Sequence, residues 1–207
     1  MINSVLFDLD GVLVDACEWH YLSLNKSLLE VVGYEISRSD HVTKFNGLPT
    51  KVKLGMLNIT GSNFDKVWRL KQNYTVEVIK ENGKIDNVKI ELLSFLRENG
   101  IKIACVTNSI RETATLMLNV TGQLPYIDLL ISNEDVVNPK PSPDPYNKAI
   151  DAFAINPKLS VAVEDSPKGI ESASLCKAGL LWKVDGSHYV TKSNFISAFG
   201  GFPGGNK

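Results

Sequence analysis

Cysteine is scarce in this chain. Its 207 residues hold three, Cys17, Cys105 and Cys176, far apart and without the short spacings that gather ligands round a metal. So sparse and odd a count reads as buried thiols in a reducing compartment. Excess charge of one sign is missing too: the formal net charge is -1 and the sequence pI about 6.3. No basic stripe stands out, which excludes a nucleic-acid backbone as the expected partner, since such binding depends on neutralising phosphates. No apolar run approaches the ~18 residues needed to span a bilayer, so no membrane association is expected. The opening residues Met1-Ile2-Asn3-Ser4 lack a basic stretch followed by an apolar one, so no signal peptide is visible. A soluble cytoplasmic enzyme is the expectation.

What is present is ordinary globular material. Hydrophobic residues make up 43% and charged residues 22%, enough for a packed core. The length suits one core domain with a modest insertion, or one large domain. Five short apolar runs, at 5–7, 101–106, 127–131, 159–163 and 179–184, read as strands buried on both faces. With helical stretches between them, they indicate an α/β fold with a doubly wound parallel sheet. Helix boundaries carry their own signals. Ser109 and Glu112 have capping-box spacing; Ser142-Pro143 and Ser166-Pro167 offer N-caps followed by proline; a helix through Leu92, Leu93, Phe95 and Leu96 ends at Gly100.

Between the first and second strands no strand pattern occurs, over a stretch far longer than a βα connection. It reads instead as helices at 17–32, about 49–57 and 62–82, ending near Gly33 and Gly83. The expected organisation is a core of residues 1–15 and 85–199, an inserted helical domain at 16–84, and a flexible glycine-rich tail at 200–207.

Ligands of such sheets bind beyond the carboxyl ends of the strands. The polar residues directly following the apolar runs are Asp8 and Asp10, Thr107 and Asn108, Lys140, and Glu164 with Asp165. Four acids would repel one another strongly without a cation. Oxygen-only ligands favour a hard ion, magnesium first. A lysine and a hydroxyl beside that ion suit a phosphoryl group.

These segments, Phe7-Asp8-Leu9-Asp10-Gly11-Val12, Val106-Thr107-Asn108-Ser109, Lys140-Pro141 and Val163-Glu164-Asp165-Ser166-Pro167, resemble in order and spacing the four motifs of the haloacid dehalogenase superfamily. The helical insertion resembles the small cap of its β-phosphoglucomutase and sugar-phosphatase branch. The resemblance implies a Rossmann-like core and a magnesium-dependent phosphatase acting on a small phosphorylated metabolite, a sugar phosphate by branch. Asp8 would be the nucleophile, becoming an aspartyl phosphate, and Asp10 the general acid and base. Asp8, the Asp10 main chain, Glu164 and Asp165 would hold Mg2+. Thr107 and Asn108 would bind the phosphoryl group, and Lys140 would offset its charge and that of Asp8.

In the cap, His20, Thr50 and Lys51 are the candidate substrate-binding residues. Where the mutase carries an arginine for a second phosphate, this chain has Thr50 with Lys51 beside it, so a β-phosphoglucomutase-like phosphomutase is the alternative rather than the first reading. Asp10 argues against dehalogenation, which needs no acid for a leaving alkoxide. No lysine occurs between Asp10 and Asn25, which argues against a phosphonate-cleaving relative. An inactive binding module would not need every catalytic residue type retained. The bland readings make Asp8-Leu9-Asp10-Gly11 a strand-exit turn, Ser109 only a helix cap, Glu164 a surface acid and Lys140 a solvated lysine. They also put Lys71 on a solvated helix face and Trp19 and Trp68 in the cap core. A monomer or weak homo-oligomer is expected.

Overall fold

The computed structural model describes residues 2–200. The tail expected to be flexible lies outside the described residues from 201 onward. The chain divides into two compact units. One joins the residues up to Asp15 with those from Lys84 on; the other is Ala16–Gly83.

The first strand, β1 (Ser4–Phe7), is wholly buried. The helical unit follows, with α1 (Cys17–Val32), α2 (Arg38–Asp40), α3 (Thr50–Met56) and α4 (Gly61–Asn82). Helix α1 stops at Gly33, whose φ of 66° is left-handed and whose N–H returns to the Leu29 carbonyl. The short α2 was not expected from the sequence. Ser37 caps it, accepting from Asp40 N–H at 3.0 Å, and it runs into a π-helical turn at His41–Phe45. The unit has its own core of Leu24, Leu28, Ile36, Phe45, Leu54, Ile59 and Val67, with Trp68 packed against it. Asn25 fastens the loop after α1 to that core: its side chain donates to Ile36 O and accepts from Ile36 N–H.

The second unit continues as α5 (Asn87–Glu98), β2 (Lys102–Val106), α6 (Arg111–Val120), β3 (Leu129–Ile131), α7 (Asp144–Phe153), β4 (Ser160–Glu164), α8 (Pro167–Leu175), β5 (Leu180–Lys183) and α9 (Lys192–Phe199). All five strands are parallel, in the order β3-β2-β1-β4-β5, so the expected doubly wound sheet is the one found. Leu6, Ala104, Val106, Ile131 and Ala162 face one side, against Tyr146, Ala149, Ile150 and Ala173 of α7 and α8. By strand alternation Val5, Phe7, Ile103, Cys105, Val161 and Val163 turn to the other face and are equally buried. Burial on both faces is why these strands are apolar throughout.

Three further details differ from expectation. β3 is shorter, because a 3-10 turn at Leu124–Tyr126 brings the chain in late. Helix α9 was not read from the sequence; it buries Phe195, which meets Trp182 edge-on at 5.8 Å. And of the three cysteines only Cys105 is buried, Cys17 and Cys176 being half-buried. No helix among the described residues is long and apolar enough to cross a membrane.

Candidate active site

The sheet's carboxyl edge gathers the residues that follow β1, β2 and β4. Asp8 continues β1, its N–H bonded to Val163 O at 3.0 Å. The chain then turns sharply, with the amides of Val12, Leu13 and Val14 all reaching Leu9 O. Gly11 makes this possible. Its φ is +94°, and a Cβ there would lie 2.0 Å from Asp165 Oδ2. The Asp-Leu-Asp-Gly segment is thus a turn, as the bland reading had it, and it also brings the main chain up against the acid that follows β4.

Lys140 stands at the centre. Its Nζ donates to Asp8 Oδ1 at 2.7 Å, Glu164 Oε1 at 2.6 Å and Val106 O at 2.7 Å, and lies 3.1 Å from Tyr146 Oη. Asp8, Lys140 and Glu164 are 6%, 4% and 0% exposed, so this is a buried cluster and the solvated-lysine and surface-acid readings fail. Two side-chain bonds fix the lysine's main chain: Asn108 Nδ2 donates to Lys140 O, and Asn108 Oδ1 accepts from Lys140 N–H. Tyr146 Oη donates to Glu164 Oε1 at 2.8 Å. Nothing local in the sequence marks that tyrosine, which reaches the site only through the packing of α7.

Glu164 turns its second oxygen to its own loop, accepting from Asp165 N–H at 3.2 Å. Helix α8 starts behind it, capped by Ser166, whose Oγ accepts from Gly169 N–H. A Cβ at Gly169 would lie 2.0 Å from the Glu164 carboxylate, so glycine leaves the acid its room. Ligand oxygens of Asp8, Glu164 and Asp165 all fall within 4.8 Å of one another.

Burial, and then the Glu164 charge, push the Asp8 carboxyl well above the usual range, against the pull of Lys140. The same two causes raise Asp165 to about 6. Burial works to lower the Lys140 pKa, but the charges of Asp8 and Glu164 outweigh it and the ammonium is held. Asp165 Oδ1 is buried without a hydrogen-bond partner among the described residues. Three crowded acids, two of them reluctant to ionise, and an orphaned carboxylate oxygen are what a hard divalent cation satisfies. The residues present fit such an ion.

Beyond β2, the buried Thr107 donates from Oγ1 to Asp10 Oδ2 at 3.3 Å and accepts from Ser109 N–H at 2.9 Å. Ser109 corrects the sequence reading. It does not cap a helix: α6 begins at Arg111 with Ile110 before it, and the Arg111 N–H is served by Glu134 Oε2. Ser109 Oγ instead donates to Asp10 Oδ2 at 2.8 Å, because the Thr107 hydroxyl draws its main chain inward. The capping box of this region lies elsewhere, between Ser132 and Asp135.

In the helical unit, His20 is half-buried, with Nδ1 3.3 Å from Lys71 Nζ. Thr50 opens α3 and is half-buried; Lys51 is exposed, with its ammonium 5.7 Å from the Trp68 ring centroid. Lys71 is not solvated as the sequence suggested but 6% exposed. Two residues escaped the sequence reading. Lys53 is buried one helical turn beyond Thr50, and His41 is buried beside Cys17 and Tyr21. Burial, then the positive field of Lys53, lowers the His41 pKa to about 3.

The sequence profile described as haloacid dehalogenase-like hydrolase matches residues 5–180. A putative pyrophosphatase PpaX of Caldanaerobacter subterraneus is 30% identical over 88% of this chain and 83% of its own. A phosphorylated carbohydrates phosphatase of Thermotoga maritima is 29% identical, covering 83% of this chain and 80% of its own. Among solved structures, a β-phosphoglucomutase of Clostridium difficile superposes with a TM-score of 0.78 at 23% identity, over 95% of this chain and 96% of that one.

Proposed function

The chain belongs to the haloacid dehalogenase-like hydrolases, and from that membership we propose that it is a magnesium-dependent phosphatase of small phosphorylated metabolites, sugar phosphates first, working through a phosphorylated Asp8. The observation that carries this reading is the ammonium of Lys140 held between the carboxylates of Asp8 and Glu164, with an Asp165 oxygen within 4.8 Å of an oxygen of each acid.

Asp8, Glu164, Asp165 and the main-chain oxygen of Asp10 would hold Mg2+. When bound, the ion offsets the charge of the acids and of the phosphoryl oxygens. Each half of the reaction has a defined proton path. An Asp8 oxygen bonds to phosphorus as the bond to the leaving oxygen breaks, and protonated Asp10 gives its proton to that oxygen. Asp10, now a carboxylate, takes a proton from water as the water oxygen attacks phosphorus. The P–O bond to Asp8 then breaks, and inorganic phosphate and free Asp8 result. Lys140 favours the ionised form of Asp8 against its burial, without outweighing it alone, and neutralises charge that builds on the phosphoryl oxygens. Thr107 Oγ1 and the main-chain N–H of Asn108 donate to those oxygens; the Asn108 side chain serves the Lys140 loop instead.

The test is release of phosphate from p-nitrophenyl phosphate, with Mg2+ and with EDTA, by the wild type and Asp8→Asn. Turnover only by the wild type and only with Mg2+ is expected. Multiple turnover by the Asn variant would overturn the assignment. The phosphomutase alternative draws support from the two buried lysines of the helical unit, Lys53 and Lys71, which could grip a second phosphate. Conversion of β-glucose 1-phosphate to the 6-phosphate, primed by the bisphosphate, would decide for it.

A further inference from the structure

Ser109 has no assigned part in this chemistry, yet its hydroxyl bonds directly to the Asp10 carboxyl. Its Oγ donates to Asp10 Oδ2 at 2.8 Å, and Thr107 Oγ1 donates to the same oxygen at 3.3 Å. Ser109 is itself held at both ends of its main chain. Its N–H donates to Thr107 Oγ1 at 2.9 Å, and its C=O accepts from Asn133 N–H at 3.3 Å.

A hydroxyl has one proton to give. When Thr107 donates to a phosphoryl oxygen, as proposed above, its bond to Asp10 is lost, and that bond is the longer of the two. Ser109 is then the hydroxyl left on Oδ2. A protonated carboxyl keeps its proton on one oxygen and accepts on the other. A donor fixed on Oδ2 therefore leaves Oδ1 as the oxygen that carries the mobile proton.

We propose that Ser109 is a positioning residue for the acid: by holding Oδ2 it orients the Asp10 carboxyl so that Oδ1 delivers the proton to the leaving oxygen and later takes one from water. The proposal rests on the reading of Asp10 as the general acid. It makes a claim that capping does not: the hydroxyl matters most where protonation of the leaving group matters most.

The experiment compares wild type, Ser109→Ala, Ser109→Thr and Asp10→Asn, with Mg2+, on p-nitrophenyl phosphate and on an alkyl phosphate such as glycerol phosphate. Aryl oxides leave without help, whereas alkoxides need the proton. For Ser109→Ala, one charge-assisted hydrogen bond lost should reduce kcat on the alkyl phosphate about 10- to 100-fold, with a markedly smaller loss on the aryl phosphate and KM little changed. Ser109→Thr, which keeps a hydroxyl, should restore most of the alkyl rate. Asp10→Asn is the control for the underlying reading, and it should itself show the larger loss on the alkyl substrate. If it does and Ser109→Ala loses equally on both substrates, or Ser109→Thr fails to rescue, the positioning role is wrong. If Asp10→Asn shows no such selectivity, the general-acid reading falls and the role of Ser109 with it.

Discussion

Replacing Lys140 by methionine keeps an unbranched side chain, one atom shorter, and removes the ammonium with its charge and donors. The structure says what that leaves: Asp8 and Glu164, buried, lose the ammonium that bonds to both, and Val106 O loses a donor. Breaking a buried pair by removing one partner costs about 3–5 kcal/mol. For a chain of this length each kcal/mol lowers Tm by about 2–4 °C, so a fall of about 6–20 °C is expected in EDTA at neutral pH. The pH dependence has a definite sign. The folded-state pKa of Asp8 already lies above its ordinary value, against the pull of Lys140, and loss of the lysine moves it further up. The folded protein then binds more protons than the unfolded chain, so stability falls as pH rises through that window. The deficit should thus be small near pH ~3, where carboxyls are mostly protonated in both states, and full at neutral pH. Mg2+ should restore part of it, since a cation again faces the acids, while kcat stays down by about 100-fold or more. Differential scanning calorimetry at several pH values, with EDTA and with Mg2+, measures all of this. A Tm within about 2 °C of wild type in EDTA at neutral pH, or a deficit that grows on acidification, would refute the reasoning.

If Asp165 is a ligand, as proposed, its raised pKa of about 6 sets a proton in competition with Mg2+. Mg2+ affinity should weaken by up to about tenfold per pH unit below that value, and binding should release protons; titration calorimetry at pH 5 and 7 that finds equal affinities would contradict it. Gly11→Ala should cost about 1–2 kcal/mol for the left-handed backbone alone, and more because the new methyl would displace Asp165; unchanged Mg2+ affinity would show that Asp165 is not a ligand. Thr50→Ala and Lys51→Ala should alter preference among phosphorylated metabolites more than the rate on p-nitrophenyl phosphate. Equal effects on every substrate would remove both residues from substrate choice.

The strands and their order of use were readable because a sheet buried on both faces writes itself as short continuous apolar runs. Residues directly after such runs lie at one sheet edge, so Asp8, Thr107 and Glu164 could be grouped from sequence alone. What was not readable depends on packing between distant elements. Helix α9 has one fully buried side chain, Phe195, and too little periodicity to announce itself. Lys53 and Lys71 lie on helices whose charge suggests solvent, and only the folded structure buries them. Ser109 has the spacing of a capping box, and the local rule gave the wrong partner because Thr107 takes its N–H and Asp10, from the loop after a different strand, takes its hydroxyl.

The room left at Gly169 for the Glu164 carboxylate has a consequence for α8 as a whole. A helix that slid by one residue along its axis would set Lys168 or Ile170 in that space, and neither side chain fits there. The carboxylate thereby acts as a gauge stop for the helix: the acid and the register of α8 can be inherited only together.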